Sequence, residues 1–375
     1  MTTFLLLSPT YGMHLYTADL ANRLAEAGER VHLLTTVGYP AHCYAPTVQV
    51  HTPVSTRNTG FSWRGLRPAP TKALMGVIQQ VKPSLVHITG PHAWNPAILA
   101  ALRRAGIPTV HTLHDLDPHP GSPYGALLRL WNALVIRRAN VILVHAQRYR
   151  ERLLCQGVLP EHIAYSPLLH GFWGYGAQDK AIALAASIGG DPSPMARSPS
   201  PIILFFGRLE RYKGLDVLLH AWEYARPRLP QGAQLILAGR GDLKRLWNGP
   251  LPTDVEVRAR HIADEEALDL FCRCALLVLP YIGATQSALV AAAYFFHKPV
   301  IVSRSGALPE YVDEGHTGWV VEPGDVKGLA GVLVEALSDP ARLAEMGAAG
   351  RVWYERARKE EWETLISLYT KLGAT

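Results

Sequence analysis

The residues best placed to do chemistry lie in one stretch, FFGRLERYKGLDVLLHAW, residues 205–222. An apolar run enters Gly207, which permits a tight turn, and Arg208 follows at once. Lys213 and Gly214 come next, and then an amphipathic pattern. Two cations leaving the carboxyl end of a strand stand where open α/β sheets bind ligands. A pyrophosphate suits them, because a guanidinium grips phosphate bidentately and an ammonium acts as a point charge. A pair of solvated turn cations is the alternative.

GATQSALVAAAYFFHKPV, residues 283–300, raises the same chemistry from another side. A helix entered through Gly283, Thr285 and Ser287 offers backbone N–H groups, hydroxyls and a positive dipole end to an anion. From Gly283 to Val300 it contains no carboxylate. AGRGD, residues 238–242, is a lone G-x-G after a strand. Gly239 and Gly241 there read as a plain turn or as a close backbone approach to a ligand. In PTYGMH, residues 9–14, Gly12 offers a similar approach.

HTLHDLDPH, residues 111–119, gathers His111, His114, Asp115, Asp117 and His119. Three readings stand: a metal site, histidines lining a cleft, or strand-end packing. The spacing matches no standard ligand pattern. STRNTGFSWRGLRPAP, residues 55–70, interleaves Arg57, Arg64 and Arg67 with Phe61, Trp63 and Leu66. Basic and aromatic residues in one loop suit an anionic lipid surface, single-stranded nucleic acid, or a loop with no special partner.

Elements that would carry these residues follow from the pattern. Short β-branched or Leu-rich runs at 4–9, 31–36, 85–89, 109–113 and 141–145 alternate with amphipathic stretches. The run restarts at 202–207, 233–239, 254–259, 275–280 and 299–303, and from 325 the tail reads as helical. Such βαβ alternation predicts parallel sheets covered on both faces. The fold class is therefore α/β, two doubly wound units with a cleft between them. We place the first domain at 1–172, a Pro-rich linker at 173–200, the second domain at 201–350, and C-terminal helices packing back across the cleft at 351–375.

A chain of 375 residues, 48% hydrophobic, has material for two cores. Its four cysteines show no CxxC, which points to a reducing, cytoplasmic setting. TTFLLLSP reads as a first strand rather than a signal peptide. No apolar run approaches the roughly 18 residues of a membrane span. Charge is uneven: residues 31–150 hold twelve Lys or Arg against two acids, a surplus of ten in a chain whose net charge is +6. That predicts a positive face, open to nucleic acid, anionic membrane or anionic substrate.

GRLERYKGLDVLL resembles the Gly-Arg-Leu-x-x-x-Lys-Gly segment of the retaining glycosyltransferases of GT-B fold, family 4. Residues 279–325 are similar to that family's nucleotide-sugar segment, with Lys298-Pro299-Val300 and the Gly306-x-Leu308-Pro309-Glu310 loop. TLHDLDPHPG (112–121) resembles its acceptor-side loop, and LLHGF (168–172) its interdomain hinge. The resemblance implies a metal-independent hexosyltransferase with no cofactor. It implies a nucleotide diphosphate sugar as donor and an acceptor that is a glycan, a lipid or a small molecule. Arg208 and Lys213 would hold the pyrophosphate, and His114 would contact the transferred sugar, so these three are the catalytic candidates. Gly12, Gly239, Gly241, Thr285, Gln286, Ser287, Ala288 and Leu289 would surround the donor, and Asp115 the acceptor. No metal site and no nucleic acid partner are implied. A peripheral position at the inner membrane face, through residues 57–67, is the alternative to a purely cytoplasmic one.

The chain departs from the family at two positions. Family members carry two glutamates eight positions apart in this segment, and here those positions are Ala284 and Ala292. A catalytically impaired or non-catalytic partner subunit that binds nucleotide or glycan is therefore the rival. A dinucleotide enzyme is disfavoured, since no GxGxxG follows the first strand.

Overall fold

A computed structural model describes residues 2–56, 68–116, 125–189 and 200–373. The chain divides into two compact units, residues 1–176 with 359–375, and residues 177–358.

The first unit is built on seven parallel strands: β1 (Thr3–Ser8), β2 (Arg30–Thr36), β3 (Gln49–Val54), β4 (Leu85–Ile88), β5 (Thr109–Thr112), β6 (Val141–Val144) and β7 (Ile163–Tyr165). Their order is β3-β2-β1-β4-β5-β6-β7. The second unit has β8 (Ile202–Phe206), β9 (Gln234–Ala238), β10 (Val255–Arg258), β11 (Leu276–Leu279), β12 (Val300–Ser303) and β13 (Gly318–Val321). Their order is β10-β9-β8-β11-β12-β13. Central strands are apolar on both faces because helices cover both. Phe4 to Leu7 and Leu276 to Leu279 are all fully buried.

Strand order reverses between β1 and β4 in one sheet and between β8 and β11 in the other. Chain segments leaving those neighbours diverge, which opens a crevice at the carboxyl edge. The first sheet therefore presents the loops after Ser8 and Ile88, and the second those after Phe206 and Leu279.

Two parts of the segmentation differ from expectation. Within the proposed linker, residues Gln178–Gly189 form a helix that packs on helix Asp264–Arg273. Its stretch QDKAIALAASIG favours helix, and Ala181 and Ala185 are buried; the prolines that suggested a linker lie later, at 192, 194, 199 and 201. The tail is one helix, Pro340–Lys371, not several. Its end belongs to the first unit, where Tyr369 is fully buried, packs its ring at a tilt against Phe4 with centroids 5.2 Å apart, and hydrogen-bonds His87 Nδ1 at 2.8 Å.

Candidate functional site

In the second unit the candidate site gathers around the switch between β8 and β11. Gly207 leaves β8 at φ 130°, a conformation that glycine reaches without strain. Arg208 follows, and its side chain is 66% exposed, so its guanidinium is accessible to a ligand. It pairs with Glu210 at 3.0 Å and donates to the Tyr212 hydroxyl at 3.1 Å.

Lys213 closes the turn Arg211–Lys213. Its Nζ lies 3.6 Å from the centroid of the Tyr281 ring, with the Tyr212 ring at 5.1 Å. Burial pulls the ammonium down to about 8; Arg208 adds to the fall, while Tyr212 and Glu210 oppose it. A cation so desolvated gains more from an anion than one in water does. Tyr281 is fully buried after β11, and burial pushes its phenol up. Among the described residues its hydroxyl makes no hydrogen bond of ordinary geometry.

The loop 283–288 is held from below. Ala284 N–H donates to Ser305 Oγ at 2.9 Å, and Ala307 N–H donates to the Thr285 carbonyl. Thr285 and Ser287 are buried, and Gln286, Ala288 and Leu289 are half-buried. The helix begins later than the sequence suggested: it spans Leu289–Phe295, only seven residues, and Ala288 is its cap. Leu289 N–H already donates to Ser287 Oγ at 3.4 Å. The Leu289 N–H expected to face phosphate is thus met by the Ser287 hydroxyl, and Ala288, the cap residue, makes no side-chain hydrogen bond. Ala284 is half-buried, whereas Ala292 is 2% exposed and faces packed side chains.

Gly239 follows β9 at φ 146°, and a Cβ there would fall 1.9 Å from the Gly207 carbonyl oxygen. Gly241 bridges to Leu209 in the same way. The glycines are thus required by the approach of two chain segments, whatever else lies against them.

In the first unit, Gly12 sits in the short turn Tyr11–Met13 after β1, and nothing among the described residues lies within 4 Å of a Cβ built there. Packing does not demand a glycine at that position. His114 follows β5, is 6% exposed, and its Nε2–H donates to the Thr89 carbonyl at 2.9 Å. Burial lowers its pKa, Asp115 partly opposing, so the ring is neutral at pH 7. Tyr16 meets His114 edge-on at 5.1 Å and His145 at 5.2 Å. Asp115 is half-buried, and its carbonyl accepts from Asn132 Nδ2 at 3.1 Å, which pins the loop. His111 is fully buried against Asn95, and His170 Nδ1–H donates to the Gly171 carbonyl.

Among the described residues no three His, Cys, Asp or Glu are grouped to hold a metal ion. Asp117, His119 and the basic loop 57–67 lie outside the described residues. No helix among the described residues is long and apolar enough to cross a membrane.

The structure adds residues that the sequence did not single out. Ser8 and Thr10, after β1, are buried with hydroxyls that hydrogen-bond no other group among the described residues. A Cβ on Gly90, after β4, would fall 2.7 Å from Ser8 Oγ, so these groups share the switch point of the first sheet. Tyr281 joins Lys213 in the second. Hydroxyl residues are common at strand ends, so only the topology marks these three out.

Comparison with known proteins bears on this arrangement. The family model described as "Glycosyl transferases group 1" matches residues 200–339. The model described as "Glycosyltransferase Family 4" matches residues 11–167. A GDP-mannose-dependent alpha-(1-6)-phosphatidylinositol monomannoside mannosyltransferase of Mycolicibacterium smegmatis is 32% identical over 168 residues, 41% of this chain and 43% of that protein. Against the Mycobacterium tuberculosis counterpart the matched part spans half of that protein, 50%. A D-inositol 3-phosphate glycosyltransferase of Streptomyces scabiei aligns at 25% identity across 94% of this chain and 84% of its own length. Among solved structures, sucrose-phosphate synthase from Thermosynechococcus elongatus superposes at TM-score 0.77 and 21% identity over the whole of both chains. Anabaena HepE, solved with UDP and glucose, superposes at TM-score 0.69 and 19% identity over 98% of this chain and 100% of its own. These two establish the fold, GT-B. With both halves matched and both sheets in place, the chain belongs to the group 1, family 4 glycosyltransferases.

Proposed function

We propose that the chain moves a hexose from a nucleoside diphosphate donor to an acceptor hydroxyl, with retention at the anomeric carbon and without a metal. The observation that carries this reading is the cation pair at the β8/β11 switch point: Arg208 exposed, Lys213 desolvated over Tyr281. Arg208 grips the diphosphate in its fork, and Lys213 meets the oxygen of the scissile bond. That bond breaks with its electron pair going to the phosphate. The acceptor oxygen bonds to the anomeric carbon from the face the phosphate leaves, and its proton passes to the phosphate oxygen. Charge grows on that oxygen in the transition state, where two preorganised cations replace a divalent ion.

The donor lies along Thr285, Gln286, Ser287 and Ala288, with Gly239 and Gly241 beside it. Neutral His114 takes the transferred sugar, with Gly12 close to it, and Asp115 orders the acceptor side. A relative named for GDP-mannose and a neighbour solved with UDP and glucose favour a hexose donor and leave GDP and UDP as the bases to test.

Ala284 and Ala292 support a second reading, a non-catalytic subunit that binds nucleotide or glycan. A lost charge-assisted hydrogen-bond pair to the ribose removes about 1.5–3 kcal/mol, one to two decades of affinity. That weakens donor binding without abolishing it. Calorimetry with GDP and UDP tests the shared premise: Arg208→Ala or Lys213→Ala should weaken binding by about 1.5–3 kcal/mol. Unchanged binding in both variants would remove the diphosphate from this turn.

A further inference from the structure

A second cationic feature lies in the first unit, and none of Ser8, Gly90, His114 or Asp115 lines it. A cavity of about 730 Å³ runs along helix Gly125–Arg138 to the amino ends of β6 and β7. Arg103, Arg129, Arg137, Arg138, Arg152 and His162 line it, and among the described residues no carboxylate does. Four of these arginines come from the 31–150 segment whose basic surplus the donor site leaves unexplained.

Helix geometry accounts for part of the cluster. Helices Asn95–Arg104, Gly125–Arg138 and Gln147–Cys155 all end here. Arg138 donates to the Pro96 carbonyl at 2.8 Å, and Arg103 to the Arg137 carbonyl at 3.4 Å. Three helix carboxyl ends supply together about −1.5 charges, roughly half a charge each. Arg103, Arg129, Arg137 and Arg138, without Arg152, exceed that by about 2.5 charges. Guanidiniums stay charged at any working pH, so the surplus cannot be shed by titration. Water and salt screen the exposed members, Arg103, Arg129 and Arg137, and an anion of matching valence lowers the repulsion that remains.

We propose that this cavity is a second anion site, distinct from the donor site, and that it takes clustered phosphate, two or more phosphoryl groups on one small molecule or headgroup. A forked donor from each of several arginines fits such a group, and a monoanion would leave most of the surplus in place. The clustered phosphate comes either free or on a lipid headgroup.

The test uses the full chain carrying Arg208→Ala and Lys213→Ala, so that the donor turn does not contribute. Inorganic pyrophosphate is titrated by calorimetry, with and without Arg129→Gln, Arg137→Gln and Arg152→Gln. These three side chains are exposed, and Arg138, half-buried, is left in place to protect the fold. We expect pyrophosphate to bind, to bind more weakly as salt rises, and to lose roughly tenfold or more in the triple variant. In the otherwise unmodified protein the same triple change should lower the pyrophosphate stoichiometry from two to one. Vesicles with and without phosphatidylinositol phosphate assign the source. Arginine-dependent vesicle binding means a lipid headgroup, and pyrophosphate binding without it means a soluble ligand. Either supports a clustered-phosphate site. Absence of binding to both probes, or binding that survives the triple change, overturns it. Because the donor cations are already removed, failure here leaves the proposed transferase reading untouched.

Discussion

At pH 7 Lys213 keeps its proton against the pull of burial, and that tension sets a pH dependence. Its folded pKa, about 8, lies below the ordinary lysine value of 10.5. A bound diphosphate favours the ammonium and raises that pKa. Donor affinity is therefore steady below pH 8 and falls as pH rises through 8, by about tenfold per pH unit until the bound-state pKa is passed. Stability runs the other way: the unfolded chain holds this proton more tightly, so the protein gains stability as pH rises from 8 towards 10.5. Lys213→Met should abolish the pH slope of nucleotide binding and melt no lower than the parent at pH 7. A slope that persists in the variant would assign it to another group. The place of Arg208 and Lys213 in the turn after β8 could be read from the sequence, because an apolar run ending in a glycine marks the carboxyl end of a strand; that they hold a diphosphate is the proposal. Ser8, Thr10 and Tyr281 were not, because a hydroxyl's meaning depends on which strands are neighbours, and strand order is not written locally. For Gly239 the sequence left open a plain turn or a close approach to a ligand, and the structure shows that the Gly207 carbonyl already requires a glycine there.

The short helix Leu289–Phe295 is the element on which the reading turns. Ala292 sits in it at 2% exposure. A glutamate there enters a packed surface, and an ionised carboxylate without a partner costs several kcal/mol when buried. Ala292→Glu is expected to lower the melting temperature of the free protein and to raise the nucleotide-induced shift if a ribose reaches this face. Thermal melts with and without GDP or UDP separate the two effects; destabilisation with no added nucleotide shift would put the ribose elsewhere. The central strands could be read because a strand buried on both faces is apolar at every position. The edge strand β3, QVHTPV, mixes exposed and buried positions and carries a proline, so it gave no periodic signal. Helix Gln178–Gly189 was hidden by the prolines that follow it, and the Ala-rich run before them was the better guide.

At the scale of the molecule, two rounds of βαβ alternation predicted two parallel sheets, and both are present with their reversals at β1/β4 and β8/β11. The end of the C-terminal helix belongs to the first unit, where Tyr369 packs against Phe4 and His87. Whether the cation turn serves catalysis or only binding is decided by whether the donor bond breaks. The most direct measurement is release of free sugar from a panel of GDP- and UDP-hexoses by the purified chain without acceptor and with chelator present. The account predicts slow hydrolysis of at least one donor, undiminished by the chelator and lost in Arg208→Ala and Lys213→Ala. Absence of hydrolysis, together with no nucleotide binding at millimolar donor, would contradict it and leave the chain as a partner subunit.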